Sequence, residues 1–80
     1  RPVAELADAV LALDADGHLR EARALLAALI RVRPPEDAAR LAGADPHRLV
    51  PQLLDAARTV APSREQDLVH ALRVAGVVTG

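Results

Sequence analysis

The sequence contains no cysteine, no methionine and no aromatic residue among its 80 positions. Without cysteine, the chain has neither a disulfide framework nor a thiolate zinc site. The apolar half of the composition is therefore almost entirely alanine, leucine and valine, with Ile30 as the single isoleucine. Such small side chains gain dispersion energy only where backbones approach closely, and packed helices allow this approach. We expect an all-α fold.

Long apolar runs and an excess of one charge are also missing. No run approaches the roughly 20 apolar residues of a membrane-spanning helix, and no charged-then-apolar signal segment opens the chain. Ten arginines, with no lysine, oppose eleven acidic residues, which leaves a net charge of -1. Only residues 31–48 are mildly basic, with four arginines against three acids. This balance argues against a membrane partner and a dedicated nucleic-acid binder, so we expect a soluble, cytoplasmic protein.

The length allows one small helical domain over residues 1–80. A chain of this size buries only a little over ~60% of the surface that its unfolded form exposes, so we expect modest stability. The chain begins with Arg1 instead of methionine and ends just after Val77 and Val78. We expect it to be a fragment of a longer protein.

Apolar residues recur every three or four positions, which is the spacing of one helix face. Together with prolines and glycines at their ends, they predict five short helices in antiparallel hairpins, as a small bundle or a short solenoid. The predicted helices cover residues 3–13, 18–33, 36–42, 51–60 and 63–75. The predicted core consists of Leu6, Val10, Leu19, Leu26, Leu29, Leu53, Leu54, Leu68 and Leu72.

Three features refine the helix boundaries. Asp16 is a suitable N-cap for the second helix, and Ser63 has the capping-box spacing Ser63-x-x-Gln66 for the last one. Pro51 lacks an N–H and would clash, inside a helix, with the carbonyl of His47. We therefore predict that residues 46–50 form a separate turn and that the fourth helix begins at Pro51.

The first half of the chain carries a repeat-like motif. Its positions are a turn glycine, an apolar residue, a small residue, two bulky residues and a closing proline, here Gly17, Leu19, Ala22, Leu25, Leu26 and Pro34. Residues 1–34 thereby resemble a tetratricopeptide repeat, although leucines 6, 13 and 26 stand where that family has aromatics. Residues 35–62 retain Ala57 and Pro62 but are about six residues short of the usual period. The resemblance implies stacked helical hairpins that bind another macromolecule.

The middle of the chain carries a second motif. Ala39 precedes Gly43 by four residues, and residues 45–54 follow. This pattern resembles the helix-turn-helix of small transcription regulators. The resemblance implies that His47 and Arg48 open a recognition helix that faces the DNA major groove. A DNA-binding domain is therefore the alternative function.

Catalytic and metal-binding constellations are not recognisable. The only hydroxyl side chains are those of Thr59, Ser63 and Thr79, and none is paired with an adjacent base as a nucleophile requires. The histidines at 18, 47 and 70 are widely separated in the sequence, and the spacing of a helical metal site occurs only in the pairs Asp14–His18 and Asp67–His70. We expect no enzyme activity, no cofactor and no metal.

Two groups of residues are candidates for binding a partner. Arg31, Arg33 and Arg40 lie around the double proline, and a planar guanidinium suits a carboxylate or phosphate. Val77 and Val78 leave the last helix without the polar cap that a solenoid end needs. We expect these valines to pack on a following segment, a second copy or another protein. The predicted function is a non-catalytic protein–protein interaction or oligomerisation module, a scaffold whose partner is another protein or a second copy.

Overall fold

The computed structural model describes residues 2–78. The helices are α1 (Val3–Ala15), α2 (Leu19–Val32), α3 (Pro35–Ala42), α4 (Pro46–Val60) and α5 (Glu65–Val74), with a 3₁₀ turn over Pro62–Arg64 before α5. The described residues form no strand. The predicted all-α class with five short helices is confirmed.

Each helix packs on the next helix and on the one after it. Helix α3 contacts all four others, whereas among the described residues α1 does not pack on α5, α2 does not pack on α5, and α1 meets α4 through a side-chain ion pair instead of through packed backbones. Helices α1, α3 and α5 therefore form one layer, and α2 and α4 form the other. Contacts limited to near neighbours are the arrangement of stacked helical hairpins.

The core contains only aliphatic side chains. Eight of its seventeen buried residues are alanine, which brings the helix backbones close together as the composition predicted. Six of the predicted core residues are buried, while Leu6 and Leu54 are half-buried. Leu19 is a wrong prediction, because it opens α2 one turn before its first buried residue and is 60% exposed. Leu41 and Leu49, which are fully buried, were not among the predicted core residues.

The two predicted N-caps are wrong. Asp16 lies at the C-terminal end of α1, where Gly17 adopts a φ of +80° and the N–H of His18 donates to the carbonyl of Leu13. This left-handed turn ends α1 and leaves Asp16 no role in starting α2. Ser63 lies inside the 3₁₀ turn, and neither that turn nor α5 has a side-chain cap.

The predicted start of α4 at Pro51 is also wrong, because α4 is one helix from Pro46 onward with Pro51 inside it. The side chain of Asp45 caps the helix by accepting the N–H of Arg48 at 3.4 Å. Leu49 and Leu53, on either side of Pro51, are both fully buried. Pro51 itself is exposed, as is residue 47, so water can reach the carbonyl that Pro51 leaves unbonded.

Pro51→Ala is expected to stabilise the domain. The substitution restores one helical hydrogen bond and removes a clash, and proline costs ~3 kcal/mol relative to alanine inside a helix. The gain is about 2 kcal/mol after the unfolded-state entropy of proline is subtracted, and urea denaturation measures it. Pro46→Ala is the matched control, since proline at the first helical position costs nothing comparable. Equal effects of the two substitutions would contradict a continuous α4.

Long-range hydrogen bonds join the turn before α5 to the end of α2. In a continuing helix, the carbonyls of Ile30 and Arg31 would accept the N–H groups of residues 34 and 35, but both are proline and have none. The guanidinium of Arg64 donates instead to the Ile30 carbonyl at 2.8 Å and to the Arg31 carbonyl at 3.3 Å. Arg64 therefore caps a helix that ended more than thirty residues earlier.

Arg64→Ala is expected to destabilise the domain by about 1–2 kcal/mol, because two carbonyls of α2 lose a charged donor. The free energy of unfolding from urea titration tests this value. Arg73→Ala serves as the control, since Arg73 is exposed and forms no ion pair within the described residues. The capping role is rejected if both variants stay within about 0.5 kcal/mol of the parent.

Candidate functional site

A groove of about 610 Å³ runs between α3 and α5, along the layer that these helices share with α1. Ala39 and Ala71 are the buried residues of its lining. Val74 also lines it and is 75% exposed, which makes it one of the most exposed large apolar side chains in the described structure. The groove thus combines small buried residues with one protruding apolar side chain.

The residues at its two ends show that α3 and α5 run in the same direction along this groove. At one end, Pro35 lies beside Asp67. At the other end, Gly43 follows α3, and a Cβ on it would lie 3.9 Å from Cγ2 of Val77. The charged lining residues therefore appear in order, with Glu36 and Asp67 near the first end and the other groups one helical turn further along.

Arg40 and His70 supply these other groups, and both are exposed. The Arg40 side chain is 71% exposed, with its guanidinium 4.0 Å from the carboxylate of Asp37. Asp37 also lies 3.7 Å from the guanidinium of Arg33. Two of the three predicted partner-binding arginines thus meet around one carboxylate on α3.

The third predicted arginine, Arg31, is exposed at the end of α2. It lines an open pocket of about 380 Å³ together with Arg33, Arg64 and the double proline. Asp67 and Pro35 line both this pocket and the α3–α5 groove. Arg31, Arg33 and Arg64, here called the arginine cluster, therefore lie next to the acidic end of the groove.

Val77 and Val78 are half-buried against the core of their own domain. Gly76 turns the chain with a φ of +74°. The N–H groups of Val77 and Val78 then donate hydrogen bonds to the Leu72 carbonyl, at 2.9 and 3.3 Å. These valines therefore close the end of the α3–α5 layer, where their remaining surface is available to a partner. Thr79 lies outside the described residues.

The residues of the helix-turn-helix alternative lie at the start of α4. Helices α3 and α4 are joined by the three residues 43–45, and Ala39, four residues before Gly43, is buried. His47 is exposed. The guanidinium of Arg48 lies 3.8 Å from the carboxylate of Asp14 and 3.9 Å from that of Asp45. Two acids therefore surround the one arginine predicted to contact DNA.

The sequence does not indicate that the charged residues of the groove lie together, because about thirty residues separate Glu36 from Asp67 and His70. One signal was available. Val74 follows Leu68 by six positions and so falls off the buried stripe of α5, which contains Leu68, Ala71 and Leu72. The sequence therefore places Val74 on the outer side of α5.

Within residues 2–78, no three histidine or acidic side chains come together as metal ligands. None of the described helices is long and apolar enough to cross a membrane. No protein-family model matches the sequence, and neither the curated proteins nor the solved structures contain a match. The candidate site therefore depends on the geometry alone.

DNA binding is testable directly. We expect the domain to cause no salt-dependent change in the fluorescence anisotropy of labelled duplex DNA, because carboxylates already neutralise Arg48. The titration is made at low and at near-physiological salt, with Arg48→Ala as the comparison. Binding that falls steeply with salt and is lost in Arg48→Ala would favour the helix-turn-helix alternative.

Proposed function

We propose that this domain is a non-catalytic protein-interaction module that accepts a helix of another polypeptide in the α3–α5 groove. The observation that carries the proposal is Val74, which is 75% exposed beside a lining of buried alanines. Covering this side chain would remove apolar surface from water, which favours binding. Binding of a partner in the α3–α5 groove would remove this exposure.

The shape of the groove suits a helix. Ala39 and Ala71 let the backbone of a third helix approach closely, as the same small residues do inside the core. A partner helix would place an apolar stripe with the i, i+3, i+4, i+7 spacing over Val74. Close packing of this kind would supply affinity without aromatic anchors.

Charged side chains along the groove would set the orientation of the partner. Arg40 lies on the rim, and Arg31 and Arg33 lie beyond the acidic end. Electrostatic complementarity at a rim contributes more to orientation and association rate than to affinity. Carboxylates on the partner would therefore face these arginines.

Two observations support a non-catalytic role. The Thr59 hydroxyl donates to the carbonyl of Asp55 at 3.0 Å and so is engaged with the backbone. Ser63 is exposed and forms no hydrogen bond with a described residue that would activate it. The short turn between α3 and α4 is the observation that favours the alternative, a DNA-binding domain.

A library of amphipathic helical peptides displayed on phage tests the proposal. Peptides selected on the parent domain are expected to bind Val74→Asp at least about tenfold more weakly, because a carboxylate would be buried against their apolar stripe. Fluorescence anisotropy of the synthesised peptides measures the change. Arg40→Glu is expected to weaken acidic peptides selectively.

The matched control is Leu19→Asp, which introduces the same charge at a side chain that is 60% exposed on the α2–α4 side. This variant is expected to bind the selected peptides as the parent does. Peptides that bind all variants equally would show that the groove is not the binding surface.

A further inference from the structure

We propose that the occupant of the α3–α5 groove is a second copy of this chain, placed by a two-fold axis perpendicular to the groove. The inference rests on the proposed function, because it names the partner of the same site. The order of charges along the groove carries it.

Within the lining of the groove itself, the acidic residues lie at one end, and Arg40 and His70 lie one turn further along. Glu36 and Asp67 lie at the end where α3 and α5 begin, and Arg40 and His70 follow in the C-terminal direction. A two-fold rotation exchanges the two ends. The acidic pair of each copy then faces Arg40 and His70 of the other, so one surface complements itself, as a two-fold interface requires.

These charges are available for such contacts. Glu36, Asp67 and His70 are exposed and form no ion pair with a described residue. Arg40 has one contact, at 4.0 Å, and its side chain is 71% exposed. Two unpaired carboxylates and an arginine with one long ion-pair contact are thus presented on one face, with His70 beside them.

Apolar contacts have the same symmetry. Val74 lies near the C-terminal end of α5, and Pro35 lines the opposite end of the groove. The two-fold rotation that pairs the charges also brings Val74 of each copy toward the Pro35 end of the other. Ala71 lies between these points on α5. The two α5 helices can therefore cross closely, and both exposed valines are covered at once.

The other exposed apolar side chains do not offer this arrangement. Leu19 lies in a groove between α2 and α4 where Arg23 is already paired with Asp55 and Asp14 with Arg48. Val32 is 82% exposed and lines two pockets. The charged residues that line these pockets with it are arginines and one acid, Asp67. Charge self-complementarity is therefore a property of the α3–α5 groove.

Sedimentation equilibrium of the 80-residue chain, together with two charge-reversed variants, tests the proposal. The basic variant carries Glu36→Arg and Asp67→Arg, and the acidic variant carries Arg40→Glu and His70→Glu. Each variant alone brings like charges together and is expected to self-associate about tenfold or more weakly than the parent. An equimolar mixture of the two restores opposite charges at both ends, and we expect it to form a heterodimer with near-parental affinity.

The matched control reverses two exposed charges away from the groove, Asp8→Arg with Arg20→Glu, and is expected to self-associate like the parent. Circular dichroism establishes that every variant is folded. A parent chain that stays monomeric at millimolar concentration overturns the inference whatever the variants do. Self-association that neither variant weakens, or a mixture that fails to recover, overturns it as well.

The proposed function is judged separately by Val74→Asp and the selected helical peptides. A monomeric parent that binds those peptides through Val74 rejects the second copy as occupant and leaves the interaction module in place. If Val74→Asp changes neither peptide binding nor self-association, both proposals are wrong.

Discussion

The whole fold depends on how closely four helices can approach α3. This helix, Pro35–Ala42, packs on every other helix, and three of its four buried residues are alanine. A small side chain leaves room for a neighbouring backbone on each side, so two layers can be held by a helix of only eight residues. Added methylenes in such a position force neighbours apart and cost about 1–3 kcal/mol. Bulky side chains are thus excluded from the buried alanine positions of α3.

The double proline at the start of α3 leaves two carbonyls of α2 in need of other hydrogen-bond donors. It removes the two N–H groups that would have closed the last turn of α2, and Arg64 replaces both donors from a distant part of the chain. The end of α2, the start of α3 and the turn before α5 therefore form one structural junction. The arginine cluster lies at this junction, so part of its positive charge stabilises the fold, and Arg31 and Arg40 remain exposed for a partner.

The stacked arrangement explains why a groove exists at all. Because α3 and α5 are parallel neighbours in one layer, their outer sides leave a channel over Ala39 and Ala71 that no other described helix covers. Val74 protrudes into this channel, and charges of both signs follow its length. The occupant that we propose, a second copy of this chain, would match this channel in the order of its charges.

Local sequence determined the helical class, the number of helices and most of the leucines of the core, since helical periodicity and the lack of bulky side chains act within a few residues. It failed where packing outweighed a local preference. Buried Leu49 and Leu53 hold α4 helical through Pro51, and a backbone turn at Gly17 ends α1 where an Asp16 cap was expected. Only the tertiary structure decided that Arg64 caps α2 and that Glu36, Asp67, Arg40 and His70 share a groove. Contacts between residues about thirty positions apart arise from the stacking of α3 on α5, and no local pattern encodes that stacking.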